Sequence, residues 1–205
     1  MQIIAATVDL SGYGRQEREV VARIIHSCAD PSIAETILIS PGAIPAAIAA
    51  LQSESAVITD VEMVRSALYA PSPLCMLAQV PSAQKNKTRT QLGIELAARS
   101  RPSRSIFVVG CAPTALATII ELAQSHAIDP AAVIALPVGY VGASEAKDAL
   151  AKSGISSITN RGGRGGSAMT AAAFNAIARM AAGIYSFEAA IGATEFSDVT
   201  SKNAI

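Results

Sequence analysis

Ser105-Ile106-Phe107-Val108-Val109-Gly110-Cys111-Ala112-Pro113-Thr114 decides the fold. Its first half is short and apolar throughout, the composition of a strand covered on both faces. Gly110 breaks the run. Pro113 suits a first helical turn, where its missing N–H removes no intrahelical bond. The same strand, glycine turn and helix recur on either side. Downstream, a strand is expected over Ala132–Val138, then Gly139 and Gly142, then a helix over Ser144–Ala151 with Ser144 as its cap. A strand over Ile155–Asn160, the turn Arg161-Gly162-Gly163-Arg164-Gly165-Gly166 and a helix over Ser167–Met180 follow. Upstream, strands are expected at Ala56–Val61 and Leu74–Val80, and helices at Val61–Leu68 and Thr90–Arg99; Pro113–His126 completes the central unit. Ahead of these, Gln16–Cys28 places Val20, Val21, Ile24, Ile25 and Cys28 on one helical stripe. Such alternation implies right-handed crossovers and a three-layer α/β/α domain with an open, mainly parallel sheet, flavodoxin-like in kind. Residues 1–180 read as one domain, 181–205 as a docked or frayed C-terminal tail, and Pro81–Thr88 as a polar surface loop.

Composition narrows the function. Of 205 residues, 51% are hydrophobic and 16% charged, which suits a packed core rather than a disordered chain. Sixteen basic residues balance sixteen acidic ones. No global field would draw nucleic acid or an anionic membrane, so grip on an anion must come from a few placed arginines or lysines. The three cysteines are scattered and there are two histidines, which argues against a disulfide framework and against a His-rich metal site. Without a signal-peptide pattern or a bilayer-length apolar run, the expected location is the cytoplasm.

Ligands of open parallel sheets gather at the carboxyl ends of the strands. Three glycine turns lie there: around Gly110, around Gly139 and Gly142, and at Arg161–Ser167. Their N–H groups at helix starts favour anions, although a βα turn also uses glycine for geometry alone. In the third turn, Arg161 and Arg164 among Gly162, Gly163, Gly165 and Gly166 tip the balance toward anion binding. Neither a nucleotide P-loop nor a dinucleotide fingerprint is present. On the helical wheel His26 falls opposite the apolar arc, beside Glu19 and Arg23. It is either a solvated surface residue or an acid–base group in a cleft, with Arg23 one turn away to hold an anion. His126 is expected to meet the last carbonyls of its helix. Asp60 and Glu62 are expected as capping groups or part of a cleft wall.

Six stretches taken together resemble the precorrin-8X methylmutase family, cobalt-precorrin-8 methylmutases included. They are Arg23-Ile24-Ile25-His26-Ser27-Cys28, Asp60-Val61-Glu62-Met63-Val64, Thr88-Arg89-Thr90, Val109 to Leu116, Pro137 to Leu150, and Gly165 to Ala171. The resemblance implies an isomerase of cobalamin biosynthesis that shifts a methyl group from C-11 to C-12 of a tetrapyrrole. It implies no redox or organic cofactor, no protein-held metal, and a homodimer with clefts near the dimer interface. His26 matches the family's acid, Arg23 a substrate contact, and Arg89 an arginine of the active site. Arg161, Arg164 and the glycines Gly110, Gly139, Gly142, Gly165 and Gly166 are the other expected substrate contacts.

Two departures accompany the resemblance. Family members usually carry a further N-terminal segment of about one helix, including a residue that touches substrate. The usual Arg-Gly-Arg-x-Gly-Gly turn here has its second arginine displaced by one position, at Arg164. Two other functions remain open at the level of sequence. One is a non-catalytic tetrapyrrole binder or carrier; the other is a nucleotide or phosphate binder using Gly162–Ser167.

Overall fold

A computed structural model describes residues 1–70, 72–84, 86–100 and 103–191. Five strands form one sheet: β1 (Ile37–Ile39), β2 (Val57–Thr59), β3 (Ile106–Val109), β4 (Ala132–Ala135) and β5 (Ser157–Asn160), in the order β1-β5-β4-β3-β2. The run β2 to β5 is parallel, and β1 joins the β5 edge antiparallel. Helices cover both faces, so the expected three-layer α/β architecture stands.

Residue alternation along the strands builds two cores. Ile106 and Val108 turn toward α2 (Arg15–Cys28), α3 (Ala43–Gln52) and α8 (Ser167–Ala181). Phe107 and Val109 turn toward α5 (Arg89–Ser100), α6 (Pro113–Gln124) and α7 (Ala143–Lys152). Side chains alternate between faces along a strand, so four apolar residues in a row supply both layers. The remaining helices are α1 (Gln2–Thr7), which has no buried residue, and α4 (Glu62–Ala67).

One expected strand is corrected. Across Leu74–Val80 only Leu74 bridges the sheet, opposite Ile58, and Leu77–Gln79 is a 3-10 turn. The stretch Leu74 to Gln79 has no β-branched side chain, and Arg89 draws its chain aside. The Arg89 guanidinium donates to the carbonyls of Val80 at 2.9 Å and Leu77 at 3.0 Å. Sequence reading also passed over α1, β1 and α3. α3 is Ala- and Ile-rich on every side and shows no amphipathic period, while β1 spans three residues.

The tail expected over 181–205 is docked as far as it is described. A short helical segment, residues 186–191, buries Phe187 in the core cluster that α2 lines, and Ala190 is buried as well. Residues 192–205, and position 85 of the Pro81–Thr88 loop, lie outside the described residues.

Candidate active site

The second and third glycine turns close on one another by main chain. Gly139 N–H donates to Gly163 O at 3.0 Å, and Gly166 N–H to Leu136 O at 2.7 Å. Gly165 leaves no alternative, because a Cβ there would lie 2.1 Å from Leu136 O. Gly110 is equally confined, with Val64 Cγ2 at 2.7 Å and Ser167 Cα at 2.9 Å from a Cβ position. Close packing therefore accounts for these two glycines. Gly142 and Gly166 instead take left-handed or extended positive φ, at 79° and 123°, to start α7 and α8.

Asp60 fastens the first turn. Its buried carboxylate accepts from the N–H groups of Gly110 at 3.2 Å and of Cys111 and Ala112 at 2.8 Å. Burial raises its pKa, and the three N–H bonds oppose that rise. The expected capping role is the one observed, exercised across the sheet rather than on α4. Next to this turn, the hydroxyls of Thr88, Thr90 and Thr114 meet within 3.0–3.3 Å. They bring the Thr88-Arg89-Thr90 stretch to the start of α6, while the Arg89 side chain itself is spent on the Leu77 and Val80 carbonyls.

His26 is exposed in the last turn of α2, as its place on the helical wheel predicts. It lines an open hollow of about 470 Å³ with Ile3, Ile4, Val8, Ile25 and Pro31. Among the lining residues it is the one ionisable side chain, and its imidazole has no hydrogen-bond partner among the described residues. Arg164 ties the third turn to the chain just beyond this helix. Its guanidinium pairs with the Asp30 carboxylate and donates to Ser32 Oγ at 3.2 Å. Hydrogen bonds from the Ser32 hydroxyl and N–H, joined by the nearby Arg164, hold the Asp30 pKa below its usual range. Arg161 is exposed at the same strand end; its N–H donates to Thr36 O at 2.9 Å, and its guanidinium makes no hydrogen bond or ion pair among the described residues. The structure thus brings Arg161 and Arg164 to the stretch 30–36 that follows the His26 helix, while the residues lining the His26 hollow include none from the glycine turns.

Arg23, one turn before His26 on α2, has partners of its own. Its Nη2 and that of Arg179 both donate to Ser186 Oγ, at 3.0 and 3.1 Å. Burial and the neighbouring Arg179 lower its pKa, while Glu19 raises it. Glu19 is itself occupied by the N–H groups of Phe187 at 2.7 Å and Glu188 at 3.1 Å. His126 also behaves otherwise than expected. Its N–H, not its ring, reaches Ala123 O, and the residue sits at φ 56° past the end of α6, remote from the rim in the chain.

Two residues beneath the rim escape sequence reading: Lys147 on α7 and Asn160 at the end of β5. Lys147 is fully buried and donates to Asn160 Oδ1 at 3.1 Å and to Arg164 O at 2.7 Å. Asn160 Nδ2 donates to Arg161 O at 3.1 Å and Arg164 O at 2.9 Å. A lysine directly followed by Asp148 on an amphipathic helix reads as solvated, so only the observed packing discloses it.

Among the described residues no cluster of three or more His, Cys, Asp or Glu side chains could hold a metal ion, and no helix is long and apolar enough to cross a membrane. A family profile described as precorrin-8X methylmutase matches residues 1–180. The cobalt-precorrin-8 methylmutase of Methanothermobacter thermautotrophicus is 39% identical over 82% of this chain and 83% of its own length. The precorrin-8X methylmutase of a Sinorhizobium species is 36% identical over 86% and 90%. In structure, the precorrin-8X methylmutase of Thermus thermophilus superposes with a TM-score of 0.78 at 29% identity, covering 89% of this chain and 93% of that one. On this match of sequence and fold together, the chain belongs to the precorrin-8X methylmutase family, isomerases of cobalamin biosynthesis.

Proposed function

We propose that this isomerase moves a methyl group from C-11 to C-12 of precorrin-8X or its cobalt counterpart, with His26 as the acid. The observation that carries the reading is the His26 imidazole, exposed and unpaired, on a largely apolar hollow at the end of α2. A methyl shift within one molecule requires neither a nucleophile nor a second substrate. It needs a rigid site, a proton donor at the reacting ring, and cations for the acetate and propionate arms. Imidazole both gives and takes a proton near neutral pH, which suits such a step. Exposed Arg161 supplies one free cation, and Arg164, at the edge of the rim, supplies another through exchange of its Asp30 partner for a substrate carboxylate. The glycine rim leaves main chain rather than side chains facing the ligand. Pairing of two copies across the rim, as a homodimer in the cytoplasm, belongs to the same proposal.

The test is a visible-absorption assay with metal-free and cobalt-containing substrate, separately. Wild-type protein is expected to convert at least one of them. His26→Ala is expected to bind the pigment while kcat falls roughly 10²- to 10⁴-fold, the range typical of losing a general acid. Undiminished turnover by that variant would sink the assignment of His26. Tight binding by the wild type with no conversion of either pigment would leave a carrier instead.

A further inference from the structure

Among the buried polar groups that the reaction above does not use, Lys147 is a basic side chain hydrogen-bonded to neutral partners. Its ammonium is out of contact with water, and its two acceptors are neutral: the side-chain oxygen of Asn160 and the carbonyl of Arg164. A buried charge without a carboxylate is costly, and a methionine would fill the same space without that cost. The charge is therefore not explained by packing. What it does is geometric. Lys147 and Asn160 together place three hydrogen bonds on the two carbonyls of the turn's arginines: one on Arg161 O and two on Arg164 O. The two carbonyls, which only accept, already require the amide's Nδ2 to face the turn, and the Lys147 donor on Oδ1 reinforces that orientation from the other side.

We propose that Lys147, acting through Asn160, is a positioning residue that sets where Arg161 and Arg164 stand at the rim, and so controls binding of the substrate's carboxylates. The inference rests on the function proposed above for those two arginines. It separates positioning from chemistry: His26 governs the rate of the shift, and the lysine–asparagine pair governs the hold on the substrate arms.

Steady-state kinetics of Lys147→Met are expected to show KM raised about tenfold or more, with kcat changed far less, since a hydrogen bond to a charged group has been removed from the support of the binding residues. Lys147→Arg, which keeps a cationic donor, is expected to recover part of that loss. Should Lys147→Met fail to fold, Asn160→Ser carries the same prediction, because it withdraws the amide from both carbonyls and leaves the lysine in place. Hydrogen exchange of the free protein at Gly162, Gly163, Gly165 and Gly166 provides the arm that needs no substrate: both variants are expected to exchange faster there and unchanged in β3. If exchange at the turn is unaltered, the positioning role is overturned. A loss confined to kcat, with KM intact, overturns it equally. Faster exchange in a protein whose wild type converts no tetrapyrrole would leave the positioning in place and remove the function assigned to the arginines.

Discussion

At the level of single residues, the strongest electrostatic consequence belongs to Lys147. Burial lowers its pKa from 10.5 to about 8, with Asp148 opposing part of the fall. Below about 8 both folded and unfolded chains hold the proton, and the folded chain bears the cost of a buried ammonium. Between about 8 and 10.5 the unfolded chain binds more protons than the folded one, so stability rises with pH across that window. The size of the effect is on the order of 3 kcal/mol. Urea unfolding of wild type and Lys147→Met at pH 7, 8, 9 and 10 is expected to show the wild type gaining relative to the variant as pH climbs. A flat difference would mean that the amine is hydrated. Residue scale is also where sequence reading succeeded and failed most visibly. His26 was legible because a helical stripe assigns a direction to every position from Gln16 to Cys28. Lys147 was not, because its burial arises from a turn seventeen residues away folding back over it. Arg23 lay between: the wheel gives its direction, but its partner Ser186 comes from a segment without periodicity.

Elements are positioned by bonds between turns as much as by the helices and strands themselves. Asp60 leaves β2 and satisfies three N–H groups at the end of β3 and the start of α6, so one carboxylate aligns the first glycine turn and the helix behind it. Asp60→Ala leaves those donors unsatisfied in a site too small to hydrate them freely. A destabilisation of roughly 3 kcal/mol is expected, measured as a lower denaturation midpoint with unchanged slope. A change under about 0.5 kcal/mol would show that water replaces the carboxylate. Sequence reading placed β3, α6, α7 and α8 within a residue or two of their observed positions at most ends, since apolar runs, glycine and Pro113 are local signals. It misplaced Leu74–Val80, where a local apolar run lost to the contacts that Arg89 makes with Leu77 and Val80. It could not find β1 either, because that strand exists by pairing with β5, far away in the chain.

For the molecule as a whole, the apolar side chains left outside are concentrated in meaning rather than in number. Val138 is half-exposed, and Tyr140 and Val141 stand almost wholly in solvent on the loop that follows β4, next to the rim. Apolar side chains gathered in such a loop beside a binding site mark a contact surface. The proposed second copy would cover them and complete the wall of the site. Sedimentation of the wild type is expected to give twice the chain mass of 21.0 kDa, and Tyr140→Lys with Val141→Glu is expected to give a monomer with raised KM. A wild-type monomer would refute the pairing. The fold class was readable from strand–helix alternation, and with it the carboxyl end of the sheet where the glycine turns lie. What alternation alone could not supply was the way α2, the Pro31–Thr36 turn and the 186–191 segment pack beside that end, which depends on contacts distant in sequence.

The interlock between Leu136, Gly139, Gly163 and Gly166 has an evolutionary corollary. Bonds drawn from the peptide groups themselves are indifferent to side chains that point away from them, so exposed neighbours such as Arg161 are at liberty to drift and retune ligand preference. Gly163 and Gly165, where a Cβ would lie 2.6 and 2.1 Å from a carbonyl oxygen, are not. Loop length has no such liberty. One residue added to either loop would move every donor out of step with its acceptor, and descendants of this chain should therefore diversify here by replacement and almost never by insertion.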